Sequence, residues 1–276
     1  MLAVLLKMRR VRVSLDIHEI TDSSEAHLFF APFIGRMALR YLCNFSSAIV
    51  HARENLEELT TLVPTKRLRA RLVVLPLFDQ YPRYEYQIAK ARLGLDARKV
   101  VLSFGTIRAY KGIPVLVEAI ALLPLDVRSS LVLAVVGGTW GHESTPILRR
   151  LMESPVSDQT ILRADYIPDS EVGLWFSAAD VVVQPYIRSS QSGVLRIAMQ
   201  FGLDCIVTES EDARSMMAVY SGLHIVTKHD AAQLAKALEE VVSSQPRRHS
   251  RPPNMSWDHA ANEYVAILDR FMGGQK

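Results

Sequence analysis

At 276 residues the chain is long enough for one large domain or two of ordinary size, and an apolar fraction of 49% supplies a substantial core and argues against disorder. The formal net charge of +3 is too small for a general nucleic-acid binder, so no nucleic-acid partner is expected. Cys43 and Cys205 lie far apart in apolar surroundings and form no metal or redox motif, which points to a reducing, cytoplasmic setting.

In chain order, Met1 to Met8 is apolar but far too short to span a bilayer. Arg9, Arg10 and Arg12 follow it, the reverse of the charge-then-apolar order of a signal peptide. Val11–Ile17 reads as a strand ending in His18-Glu19. Phe33–Leu42 has helical spacing, Ala48–His51 is a strand, Arg53–Leu62 a second helix and Leu72–Leu77 a further strand. Phe78-Asp-Gln-Tyr-Pro-Arg-Tyr-Glu-Tyr86 breaks the pattern and reads as an interdomain connection. Residues 1–95 are therefore expected to form a small α/β domain of about three strands, fewer than the mean for a sheet, as if its beginning were absent.

The region from Val100 to Val226 repeats one theme: a short apolar, β-branched run, a loop, then an amphipathic stretch. The runs are Val100–Phe104, Leu131–Val136, Thr160–Leu162, Val181–Gln184, Cys205–Thr208 and His224–Val226. Helical spacing falls at Ile113–Leu123, Thr145–Glu153, Ser170–Ala178, Gly193–Phe201, Asp212–Tyr220 and Ala231–Ser243. Continuous apolar strands alternating with helices predict an α/β fold with a parallel sheet covered on both faces. Ligands of such sheets collect beyond the carboxyl ends of the strands, where Gly105, Gly137-Gly138, Tyr166, Pro185-Tyr186 and Glu209 all fall. After a breaker run, Gln245–Pro253, a last helix is expected at Trp257–Phe271.

Phe104-Gly-Thr-Ile-Arg-Ala-Tyr-Lys-Gly112 carries the most chemistry. A buried strand stops at Gly105, Arg108 and Lys111 follow, and a helix begins with Ile113, Leu116, Val117 and Ile120 on one face. A helix N-terminus with its free N–H groups, joined by two cations, suits a diphosphate. Without an anion, cations at that end oppose the helix dipole. The loop Tyr186–Gly193 precedes another helix, in which Ser189, Ser190 and Ser192 are good caps and Gly193 permits close backbone approach. It is either a capped helix and nothing more, or a place where N–H groups of Gln191, Ser192, Gly193 and Val194 meet a phosphate or sugar hydroxyl. No Gly-x-Gly-x-x-Gly follows any strand, which argues against a dinucleotide-dependent oxidoreductase.

Taken together these segments resemble the family 4 glycosyltransferases of the GT-B fold, an α/β architecture of two Rossmann-like domains with parallel sheets. Residues 104–112 resemble the donor-phosphate loop. Val135-Val-Gly-Gly138 resembles the next strand and its glycine turn, and Asp180-Val-Val-Val-Gln-Pro-Tyr186 the strand beside the donor nucleotide. Gln191-Ser-Gly-Val194, Ala198-Met-Gln-Phe-Gly202 and Ile206-Val-Thr208 resemble the loop, helix and strand that hold the donor sugar. Ile49 to Leu59 and Met255-Ser-Trp-Asp258 match the family as well. The implied division is a partial N-terminal domain at 1–95, a nucleotide-sugar domain at 96–254, and a helix at 255–276 that returns to the first domain.

The resemblance implies a retaining transferase that moves a sugar from a nucleotide diphosphate to a glycan or lipid-linked acceptor in cell-envelope polysaccharide or glycolipid synthesis. Arg108 and Lys111 would stabilise charge on the leaving diphosphate, with Gly105, Thr106, Gly112 and Gly137 shaping its loops. No cofactor and no metal are implied, and no Asp-x-Asp pair is evident. His18 would either approach the donor sugar or be structural. Tyr166 stands near the base or is a half-buried loop residue. Ser189, Ser190, Gln191, Ser192, Gly193 and Val194 would hold the sugar.

This chain departs from the usual family pattern, in which two glutamates stand at positions that here fall at Ser189 and Ile197. The second normally contacts the donor ribose; Glu209 either takes over that contact or is a solvated loop charge. Basic residues in the first part, among them Arg36, Arg40, Lys66 and Arg69, fit either peripheral contact with the inner face of a membrane or an ordinary solvated face. The family's glycine-rich acceptor loop is not found, so the chain is expected to be a fragment, to have a misplaced start, or to rely on a partner subunit. A catalytically silent sugar-nucleotide-binding subunit is the alternative to an active enzyme.

Overall fold

In the computed structural model, residues 13–17, 31–43, 46–63, 69–95, 97–188, 191–245 and 248–273 are described. They divide into two compact units, Met1–Pro76 with Asn254–Lys276, and Leu77–Pro253. No helix among the described residues is long and apolar enough to cross a membrane.

In the first unit β1 (Val13–Ile17), β2 (Ser46–Val50) and β3 (Arg69–Leu72) form a parallel sheet in that order, with helices α1 (Ala31–Cys43) and α2 (Arg53–Leu62) between them. Alternation along β2 sends Ala48 and Val50 into a core with Cys43, Leu59 and Val63. It sends Ile49 the other way, against Val73 and the C-terminal helix (Trp257–Gly273) through Ala260 and Ile267. The apolar run Leu72–Leu77 is not the third strand, contrary to expectation. Pairing ends because β2 ends at Val50, whose carbonyl takes the Val73 N–H at 2.9 Å. Hydrogen-bond partners, not apolar content, set the limit of a strand.

The second unit begins earlier than the expected boundary at residue 96. The Phe78–Tyr86 stretch lies along this unit instead of leaving it. Tyr84 N donates to Ser177 Oγ (3.0 Å), and the Tyr86 hydroxyl donates to both oxygens of Asp180 (3.2 and 3.0 Å). A Cβ on Gly173 would stand 2.0 Å from the Pro82 carbonyl oxygen, so a glycine is what lets this strap pass so close. Helix α3 (Tyr86–Arg92) follows, a turn that the sequence reading did not assign.

Six parallel strands form the second sheet: β4 (Lys99–Phe104), β5 (Leu131–Val136), β6 (Thr160–Arg163), β7 (Val181–Gln184), β8 (Asp204–Thr208) and β9 (Leu223–Val226), in the order β6-β5-β4-β7-β8-β9. Helices α4 (Ile113–Leu122), α5 (Leu125–Ser129), α6 (Ser144–Met152), α7 (Asp169–Ala178), α8 (Gly193–Phe201), α9 (Glu211–Met217) and α10 (Ala231–Ser243) connect or cover them. On one face Val101, Leu131, Leu133, Val181 and Ile206 pack against Leu116 and Ile120 of α4 and Leu234 and Leu238 of α10. Burial on both faces explains the apolar runs of the inner strands β4, β5, β7 and β8; the edge strands β6 and β9 are only partly buried.

Candidate functional site

Strand order reverses between β4 and β7: the chain runs outward from β4 through β5 to β6, then returns to start again at β7. The loops that leave these two strands lie at the carboxyl edge at this reversal, the usual ligand position in an open α/β sheet. The loop after β4 contains Gly105, Thr106, Arg108 and Lys111. The loop after β7 contains Pro185, Tyr186 and Ser192.

The two loops are locked together. Ile187 N donates to Tyr110 O at 2.8 Å. Gly112 adopts φ +66°, and a Cβ there would lie 1.9 Å from the Pro185 carbonyl oxygen, so both conformation and space demand glycine. Both cations precede the helix, as expected: Arg108 stands before a short 3₁₀ turn, Ala109–Lys111, and Lys111 ends it, while α4 starts only after Gly112, with Pro114 in its first turn.

The two cations have different surroundings. Lys111 is only 7% exposed. Its Nζ donates to the Tyr186 hydroxyl at 2.6 Å and lies 4.4 Å from the centre of that ring. No ion pair to Lys111 occurs among the described residues. Burial pushes its ammonium down from the ordinary lysine range. A Cβ on Gly105 would stand 3.0 Å from Nζ, so the glycine leaves the ammonium uncovered on that side. Arg108 instead stacks over Trp140 (4.8 Å) and Tyr110 (5.5 Å), with its Nε 3.7 Å from a Glu143 oxygen and without a hydrogen-bond partner.

Around this centre the structure gathers most of the remaining sequence candidates. Gly137, at the end of β5, faces the Gly105 carbonyl so closely that a Cβ would be 2.2 Å from its oxygen. Gly138 lies against the backbone of Tyr166, whose ring is 78% exposed. Val194 approaches Gly105, and Gln191 and Gly193 stand beside Ser192 at the start of α8. Ser192 caps that helix itself, its Oγ accepting from Leu195 N at 3.2 Å. Glu209 is turned outward and pairs with Arg214 at 2.9 Å. His18, Ser189 and Ser190 lie outside the described residues.

Several residues were not among the sequence candidates. A small pocket beside Tyr186 and Ser192 is also lined by Gln184, Thr208, Ser210 and Asp212. Arg196 of α8 is fully buried and donates to Asp212 Oδ1 at 2.5 Å. An arginine at a helical core position was the only signal in the sequence. In the first unit, at the carboxyl edge of its sheet, His51 meets the Val73 carbonyl at 2.8 Å and Asp16 at 2.7 Å. Tyr264 of the C-terminal helix donates to the other Asp16 oxygen at 3.2 Å.

Residues 98–244 match the family of glycosyl transferases group 1. The D-inositol 3-phosphate glycosyltransferase of Pseudarthrobacter chlorophenolicus is 30% identical over 198 residues, covering 65% of this chain and 46% of the relative. The GDP-mannose:glycolipid 4-beta-D-mannosyltransferase of Xanthomonas campestris pv. campestris is 27% identical over 188 residues, covering 63% and 50%. The chain thus spans about half the length of the relatives it matches. Among solved structures, sucrose-phosphate synthase from Thermosynechococcus elongatus superposes with a TM-score of 0.75 at 20% identity, over 99% of this chain and 71% of that one. The architecture is α/β of the GT-B type. With the family matched across more than half its length, this chain belongs to the glycosyl transferases group 1.

Proposed function

We propose that the chain binds a nucleotide-diphosphate sugar at the carboxyl edge of the sheet, beside the loops of β4 and β7, and serves a retaining transfer of the sugar to a glycan or lipid-linked acceptor. The observation that carries this reading is Lys111: a buried ammonium with no ion pair among the described residues, held by a tyrosine hydroxyl and left uncovered by Gly105. A buried charge without a counter-charge is costly, and a pyrophosphate would supply the missing partner. Arg108, stacked on Trp140 and Tyr110, adds a second cation at the rim for charge that develops on the leaving group. Relatives named for GDP-mannose and for a glycolipid acceptor fit this substrate class. Cell-envelope glycan or glycolipid synthesis, at the inner face of a membrane reached through the basic first unit, is the setting we infer.

A second reading rests on Ser189 and Ile197, which occupy the acidic positions of most members of the resembling family; Ile197 is buried at 6% exposure. On that reading the chain binds the sugar nucleotide without turning it over and completes or regulates a partner subunit. Calorimetry with UDP, GDP, UDP-glucose and GDP-mannose, followed by a donor-hydrolysis assay, separates the two. Binding with hydrolysis supports the enzyme, binding with none supports the silent subunit, and no binding to any of them refutes both.

A further inference from the structure

The pocket beside Tyr186 holds two polar groups that its own hydrogen bonds leave over. Thr208 Oγ1 is spent on the Tyr186 carbonyl at 2.5 Å, and the Tyr186 hydroxyl on Lys111. Ser192 and Ser210 are spent as caps, accepting from Leu195 N at 3.2 Å and Ala213 N at 3.1 Å. Beyond the rotatable hydrogens of the Ser192, Ser210 and Tyr186 hydroxyls, one fixed donor and one fixed acceptor remain. The donor is Gln184 Nε2: the residue is 3% exposed and this atom has no hydrogen-bond partner among the described residues. The acceptor is Asp212, whose Oδ1 is held by the fully buried Arg196 and whose Oδ2 makes no hydrogen bond among the described residues.

We propose that Gln184 and Asp212 together bind a sugar hydroxyl, with the hydroxyl oxygen accepting from Gln184 Nε2 and its hydrogen donated to Asp212 Oδ2. A donor and an acceptor facing one small space match a hydroxyl, which is both. They do not match a phosphate, because the Asp212 carboxylate would repel it and the serine caps already occupy the nearby helix N–H groups. Arg196 is a positioning residue: its ion pair fixes Asp212 while its Nε and Nη1 have no hydrogen-bond partner among the described residues. Since Tyr186 lines this pocket and also holds Lys111, a ligand whose diphosphate meets Lys111 would bring a hydroxyl of an adjoining sugar to it. The proposal deepens the donor-binding reading above and rests on it. The hydroxyl belongs either to the ribose or to the transferred sugar.

Calorimetry of the full chain with UDP, GDP, UDP-glucose and GDP-mannose tests this, using Gln184→Met and Asp212→Asn. Loss of a hydrogen bond to a sugar hydroxyl should weaken binding about ten- to hundredfold in each variant. An equal loss for the diphosphates and for their sugars assigns the ribose; a loss confined to the nucleotide sugars assigns the transferred sugar. Gln184→Met also removes an unpaired buried amide, so its melting temperature without ligand should stay level or rise, which a purely structural glutamine would not give. Unchanged affinity in Gln184→Met overturns the proposal while the donor reading survives. If the unaltered chain binds none of the four probes, both fall.

Discussion

Lys111→Met keeps the aliphatic stem and removes the ammonium. In the free protein that ammonium gains a charged hydrogen bond to Tyr186 at 2.6 Å, worth about 1.5–3 kcal/mol, and a contact with the Tyr186 ring at 4.4 Å, worth about 1–2 kcal/mol. Against this stands the desolvation of a charge with no ion pair among the described residues, a cost of several kcal/mol. The opposing contributions are of similar size, so the variant should unfold in urea within about 1 kcal/mol of the parent chain. Ligand binding has no such cancellation. A charge-assisted contact with a pyrophosphate in a partly desolvated site contributes about 2–4 kcal/mol, so UDP affinity measured by calorimetry should fall roughly 30- to 1000-fold. Titration supplies a check of sign. Burial lowers the folded-state pKa below the ordinary 10.5. Between those two values the unfolded chain holds more protons than the folded one, so stability rises with pH through that window. The penalty is fully present below the folded value and relieved above the unfolded one, and Lys111→Met should flatten this rise. An unchanged UDP affinity, or a stability loss above about 3 kcal/mol, would make Lys111 a structural residue and refute the reasoning.

Three further outcomes follow from other parts of the chain. Gly112→Ala must both leave φ +66° and move the Pro185 carbonyl, so chemical denaturation should show a loss of about 2 kcal/mol or more; a smaller loss would mean the two loops are loosely coupled. Asp204, at the start of β8, is pushed up by burial but held overall below its ordinary 3.8 by His224 and His249, at 2.9 and 3.2 Å. Its contribution is present above 3.8 and lost as pH falls through the lowered value, so Asp204→Asn should be destabilising at neutral pH and approach the parent in acid; a gap that persists in acid refutes this. Tyr264→Phe removes the hydroxyl that reaches Asp16 and His51, and a double-mutant cycle with Asp16→Asn should give a coupling of about 0.5–1.5 kcal/mol; strict additivity would show that the hydroxyl and Asp16 do not act together.

Periodicity along the chain determined the class of fold and the site's address. Six runs in the second part became six parallel strands, the inner four largely buried, because a strand covered on both faces must be apolar throughout. Gly105, Arg108, Lys111 and Gly112 were legible because a strand end, cations and glycines stood in one short stretch. Tertiary structure alone decided the rest. The strap at Phe78–Tyr86 looked like a connection because its anchors, Ser177, Gly173 and Asp180, lie far along the chain. Likewise, two cations three residues apart look equivalent in sequence, yet one is buried against Tyr186 and the other stacks on Trp140 near Glu143. Gln184 read as one more strand residue, and Arg196 was not singled out within its helix. A polar side chain's role depends on which partners the fold brings within hydrogen-bond reach, and spacing along one strand or helix carries no information about partners supplied by another.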